Sequence, residues 1–243
     1  MSSPVRIALV AEGITDYVVL KAAIESMLDG RSFILNPLQP EGSVAFAGAG
    51  NAGPLGGGWK GVYKWCLQSA RRTGGSLSED ELFIGHDLLV LHLDADVAGE
   101  DPARHPRFPI PDLAGQLPCE RPCPPPTATT NCLRTLMLSW LGETGTPPQT
   151  VLCTPSKNTE AWVMVACFPG DGAVNAAHWE CRQKPENRLG QQPRSKRFSK
   201  SEADYAKRQS ELQARWPTVV AKLSEAARFQ HDFTTAVAAL PAS

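Results

Sequence analysis

The chain has 243 residues, 42% of them hydrophobic and 20% charged, which suits a folded domain with a sizeable core and excludes wholesale disorder. No stretch approaches the roughly 20 apolar residues a membrane-spanning helix needs, so no membrane partner is expected. The net charge of −1 conceals two opposed segments: Glu79 to Asp101 carries eight carboxylates and no Lys or Arg, while Arg182 to Lys200 carries seven basic residues against Glu186 alone.

Near the N-terminus, 5–11 (VRIALVA) is a short branched-aliphatic run that reads as a buried strand and is too short and too acid-flanked for a secretory leader. Glu12-Gly13-Ile14-Thr15-Asp16 follows, then a helical pattern with Leu20, Ile24, Met27 and Leu28 on one face. Gly13 allows a tight turn, and Thr15 is a suitable N-cap. Asp16 has two readings, favourable charge at a helix start or support for a site. Glu12 falls at the C-terminal edge of the sheet, where open α/β sheets bind ligands. Residues 32–38 (SFILNPL) form the second strand candidate.

The Gly-rich segment 42–58 contains Gly48-Ala49-Gly50-Asn51-Ala52-Gly53, formally a G-x-G-x-x-G. Pro54 and the run Gly56 to Gly58 interrupt the helix a dinucleotide site requires, and no acidic residue sits about 20 positions on. A loop closing over substrate is the more economical reading. Residues 59–73 are helical, with Val62, Trp65, Cys66 and Ser69 on a core face and Lys60, Lys64, Arg71 and Arg72 elsewhere, either solvated or facing phosphate.

Leu88 to Asp96, LLVLHLDAD, is a buried strand ending in two carboxylates. Strand side chains alternate, so Asp94 and Asp96 point the same way, roughly 6.5–7 Å apart. At an effective dielectric of about 20 such charges repel by roughly 2.5 kcal/mol, against about 0.6 kcal/mol in water. A hard divalent cation, Mg²⁺ (or Mn²⁺), offsets that repulsion directly. The bland alternative is a solvated strand-to-loop junction.

Residues 97–129 are Pro-rich and without period. Cys119, Cys123 and Cys132 lack a fourth ligand at usual zinc spacing. Seven cysteines, an odd number, together with the absence of a leader, point to reduced thiols and a cytoplasmic location. A helix over 130–142, a strand over 150–154 and a short apolar helix after Thr159 complete the pattern, with Thr159 or Asn158 as cap and Glu160 in the first turn.

Alternating strands and helices predict an α/β fold: a mostly parallel four-stranded sheet covered by helices, with Glu12, Asp94, Asp96 and Glu160 gathered at one edge. This α/β domain spans 1–168. Residues 169–243 form a basic loop and a helical C-terminal appendage, with Ser199 to Arg215 helical, Ser201 or Ser199 its cap, and Pro217 starting or kinking the last helix.

An apolar strand ending in Glu12-Gly13-x-Thr15-Asp16, with a later strand ending in Asp94-x-Asp96, resembles the Toprim domain. That family includes topoisomerase and primase catalytic domains and the nucleases of the overcoming-lysogenization-defect (OLD) group. Glu160-Ala161-Trp162, after a strand and a Ser-Lys pair, is similar to small stand-alone proteins of the RloB type, associated with anti-phage and restriction loci. The resemblance covers about 5–168. It implies a Rossmann-like sheet, Glu12 as general acid/base or metal ligand, Asp94 and Asp96 as a metal pair, Glu160 as a further ligand and Lys157 as a phosphate contact.

Two functional readings follow. In the first, the chain is a metal-dependent endonuclease whose carboxylates hold Mg²⁺ or Mn²⁺, with Arg182, Lys184, Arg188, Arg194, Lys196, Arg197 and Lys200 meeting the phosphates of DNA, RNA or tRNA. For those basic residues a solvated loop is the alternative. In the second, the chain is a non-catalytic binding or regulatory module; the resemblance implies a partner ATPase, and because the sequence carries no Walker A loop any ATP use would come from outside.

Overall fold

The computed structural model describes residues 3–40, 55–102, 116–193, 196–197 and 199–241. The glycine motif at 48–53 and Arg194 lie outside the described residues. Among those described, four strands form one all-parallel sheet: β1 (Val5–Val10), β2 (Phe33–Gln39), β3 (Leu88–His92) and β4 (Thr150–Cys153), in the order β2-β1-β3-β4. All five β3 residues and all four of β4 are buried, as the unbroken apolar runs require.

The pleat sorts side chains to two apolar layers. Ile7, Leu9, Leu88 and Val90 face α1 (Ile14–Leu28) and the C-terminal helices. Ala8, Val10, Leu89 and Leu91 face α2 (Gly58–Thr73) and α3 (Thr127–Leu141). Tyr63 of α2 meets Trp140 of α3 edge to face at 5.1 Å. Helix α3 stops at Gly142, whose φ of 76° places it in the left-handed region and whose N–H reaches back to the Leu138 and Ser139 carbonyls.

The second half differs from expectation in three places. Residues 171–200, polar and basic enough to read as loop, are not all loop, because Pro185 starts α5 (Pro185–Gly190) after α4 (Glu160–Cys167). The helix expected over 199–215 is divided into α6 (Glu202–Ala206), capped by Ser201, and α7 (Gln209–Lys222). Pro217 neither starts nor ends a helix; it sits inside α7, and the break falls at Leu223 before α8 (Ser224–Ala238).

Helix α7 packs on α1 and α4, and α8 on α7 and β4. Trp162, Trp216, Phe229 and Phe233 therefore fill the same core as β1 and β3. The composition changes near 168, but the packing runs across it. The expectation of free thiols also fails at one pair: Cys123 and Cys181 form a disulfide, their Cα atoms 5.5 Å apart. Cys123 is thereby spent, while Cys119 lies beside the thiol of Cys132. No helix among the described residues is long and apolar enough to cross a membrane.

Candidate metal centre

The sheet order decides where a site can form. The chain leaves β1 towards β2 on one side and leaves β3 towards β4 on the other. The connections therefore part between β1 and β3 and open a crevice at their C-terminal ends. Glu12 follows β1 and Asp94 follows β3, so both stand in that crevice. They meet: the Asp94 backbone N–H donates to Glu12 Oε1 at 2.8 Å.

Below Asp94, the pleat puts His92 on the face shared by Leu88 and Val90, towards α1. Asp16, in the first turn of α1, reaches the same spot. The ligating atoms of Asp16, His92 and Asp94 lie within 4.8 Å of one another, and all three residues are buried. His92 Nε2 is 3.1 Å from Asp94 Oδ1, yet the pair is out of line for a hydrogen bond. Neither His92 ring nitrogen nor Asp94 Oδ1 has a hydrogen-bond partner among the described residues. Buried polar atoms left this way are costly unless something else satisfies them.

Helix α4 closes the site from the side. Its start lacks the expected side-chain cap. The Thr159 hydroxyl instead donates to Asp16 Oδ1 at 2.6 Å, and the Asn158 amide to Glu186 at 2.8 Å. Glu160 is buried; its Oε1 accepts from the Tyr205 hydroxyl at 3.0 Å and pairs with the Lys200 ammonium at 3.2 Å, while Oε2 is unpartnered among the described residues.

Burial pushes Glu12 well above the usual carboxylate range; Asp94 and Asp16 push the same way, against His92 and the Asp94 N–H. Asp94 is raised by burial first, then by Asp16, Asp96 and Glu160, with Lys200 opposing. Glu160 is also raised by burial, and Lys200 draws it back. The Lys200 side chain is largely exposed; what burial it has works against its charge, but Glu160, Asp16 and Asp94 hold it protonated.

The second aspartate sits differently from expectation. Strand β3 ends at His92, and residues 95–99 turn into a 3-10 helix. Backbone bonds from Ala95 to the Pro155 carbonyl and from Asp96 to that of Lys157 hold this turn. The two aspartates consequently do not share a strand face: Asp94 is buried and Asp96 is exposed at the rim. Protein crowding still desolvates the Asp96 carboxyl and, with Glu186 and Glu160, lifts it to about 6.

Glu12, Asp96 and Glu160 thus surround the three-ligand group without belonging to it. Lys157 is buried and engaged with Glu120 Oε1 at 2.7 Å. Of the basic segment, Arg188 is held by Asp171 and Lys200 by Glu160. Arg182, which lies over the Trp179 ring, Lys184, Lys196 and Arg197 are exposed. In α2, Arg72 is paired with Asp80, and the Lys64 ammonium caps the Leu55 carbonyl.

Sequence reasoning missed His92, whose one signal is a polar residue at an inward position of an otherwise aliphatic strand. Two carboxylates and an imidazole, with both His92 nitrogens and Asp94 Oδ1 buried and unsatisfied among the described residues, fit a divalent cation. Against known proteins, the chain matches no family model, no curated protein and no solved structure.

Proposed function

We propose that this chain is a divalent-metal-dependent nuclease of the Toprim-like kind, hydrolysing nucleic-acid phosphodiesters. One observation carries the reading: Asp16, His92 and Asp94 converge at the crevice between β1 and β3, with both His92 ring nitrogens and Asp94 Oδ1 buried and unsatisfied among the described residues. Carboxylates suit Mg²⁺ and Mn²⁺ alike, while an imidazole suits transition ions, so the set points to Mn²⁺ ahead of Mg²⁺. A bound cation would activate water and stabilise charge on the leaving oxygen.

Around it, Glu12 has the position and the raised proton affinity to take a proton from the attacking water. Thr159 orients Asp16, and Tyr205 with Lys200 orients Glu160 on the flank. The exposed Arg182, Lys184, Lys196 and Arg197 are suited to phosphate contact. Action on DNA or RNA in anti-phage defence and a partner ATPase rest on the family resemblance.

Asp94→Ala is expected to abolish Mn²⁺-dependent cleavage of duplex DNA, single strands and tRNA while leaving the circular dichroism spectrum unchanged. His92→Ala should weaken Mn²⁺ binding by at least about tenfold, given second-shell losses alone of 10–100-fold. Cleavage by Asp94→Ala at the wild-type rate would defeat the proposal.

A further inference from the structure

On the far side of β4 from the crevice, a cavity of about 520 Å³ opens between that edge strand, α3 and α8. Its volume falls in the range of small-molecule sites. The walls have two characters. Pro147, Pro148, Val151 and Leu152 supply an apolar side. Arg134, Arg228 and His231 supply a basic side, against Asp232 alone.

Arg134 is the telling residue. It is 8% exposed, and its guanidinium is held at two corners: Nε donates to Thr154 Oγ1 at 3.1 Å and Nη1 to Asp232 Oδ2 at 2.9 Å. The third corner, Nη2, is buried with no partner among the described residues. Thr150 Oγ1, on the same wall, is likewise buried and unpartnered. Two donors without acceptors beside a cavity are what an absent acceptor leaves behind.

Charge points the same way. Arg228 is anchored by Asn131 Oδ1 at 2.6 Å, and burial together with the nearby Arg134 charge pulls its proton affinity down. Two carboxylates face it: Asp232 on the wall, and Glu225, which is buried behind the wall 3.8 Å away and also feels the Arg134 charge. On the wall itself the two arginines outnumber Asp232, and the second carboxylate, Glu225, lies behind them.

We infer that this cavity binds a small amphiphilic anion, its phosphate or carboxylate head on the free edge of Arg134 and the Thr150 hydroxyl, its apolar body against Pro147, Pro148, Val151 and Leu152. Arginine is the suited residue, because its planar fork presents fixed parallel donors to an oxyanion. The site is separate from the metal crevice and does not depend on the nuclease reading.

Titration of the metal-free full chain with phenyl phosphate, benzoate, inorganic phosphate and benzyl alcohol, followed by NMR shifts of α3, β4 and α8, tests this. Phenyl phosphate or benzoate should saturate; inorganic phosphate should bind more weakly for want of an apolar body, and benzyl alcohol should not saturate. Arg134→Lys should weaken binding about tenfold or more, as the loss of a charge-assisted hydrogen bond implies. Since Arg134 also braces Thr154 and Asp232, Ala239→Trp, which fills the cavity rim without touching those bonds, provides a second variant and should abolish binding. No saturation by either organic anion would overturn the inference. Equal binding of benzyl alcohol or of inorganic phosphate, or wild-type affinity in both variants, would do the same.

Discussion

His92 and Asp94 set the chemistry of the crevice at the level of single residues, and their burial makes stability depend on pH. Glu12, Asp94 and Glu160 are all raised above the usual carboxylate range, with burial the first cause for each. The folded state therefore holds protons that the unfolded chain has released. The stabilisation is fully present below the unfolded values of about 4, and is lost as pH rises through the raised folded values. A cation competes with those protons, so the effect of adding one runs the opposite way. In EDTA the Tm should fall as pH rises from about 4 through the raised folded values, and the Tm gain from Mn²⁺ should grow over the same span. Asp94→Asn should flatten the first trend and remove the second; a metal-free Tm that rises steadily with pH would contradict the assignment. Glu12 and Asp94 could be found in the sequence because acids end otherwise apolar runs. Asp16 could be noticed but not assigned, since its deciding partner, Thr159, is 143 residues away. His92 merged into its strand.

The element-scale misreadings have a common physical origin: a local rule was outweighed by a distant partner. Thr159 and Asn158 are good caps by type, yet both side chains are drawn into bonds with Asp16 and Glu186. Asp96 fits strand alternation by spacing, yet the chain is pulled into a turn by the Pro155 and Lys157 carbonyls. Pro217 fits a helix boundary, yet Trp216 and Val219 on either side of it are buried, and that packing carries α7 through. The same packing makes the C-terminal helices part of the main core. Phe229 is fully buried between Trp162, Trp216 and Phe233. Phe229→Ala should cost about 3–5 kcal/mol and lower one cooperative unfolding transition. A separate low-temperature transition for the C-terminal helices, with the rest unmoved, would show that they fold apart.

For the whole molecule, alternation of strand and helix was enough to read an α/β fold with a parallel sheet. The order β2-β1-β3-β4 was not readable, because pairing between strands about 80 residues apart leaves no local mark. That order is what sets Glu12 beside Asp94. The Cys123–Cys181 bond also escaped notice, since pairing among seven thiols cannot be deduced from spacing. It closes a loop of 58 residues and fastens the segment bearing Glu120, which holds Lys157 and Gln183, to the stretch that leads into Lys200. By chain entropy such a cross-link is worth about 4 kcal/mol. Dithiothreitol, or the Cys123→Ser/Cys181→Ser double variant, should therefore lower the Tm by several degrees, and an unmoved Tm would show the cross-link to be slack. When cut, the tether would release the strap alongside the acidic pocket first, so amide exchange at 179–183 should quicken while β1 and β3 stay protected. A change in the redox poise of its surroundings would then reach the pocket through that strap, with no reagent touching a carboxylate.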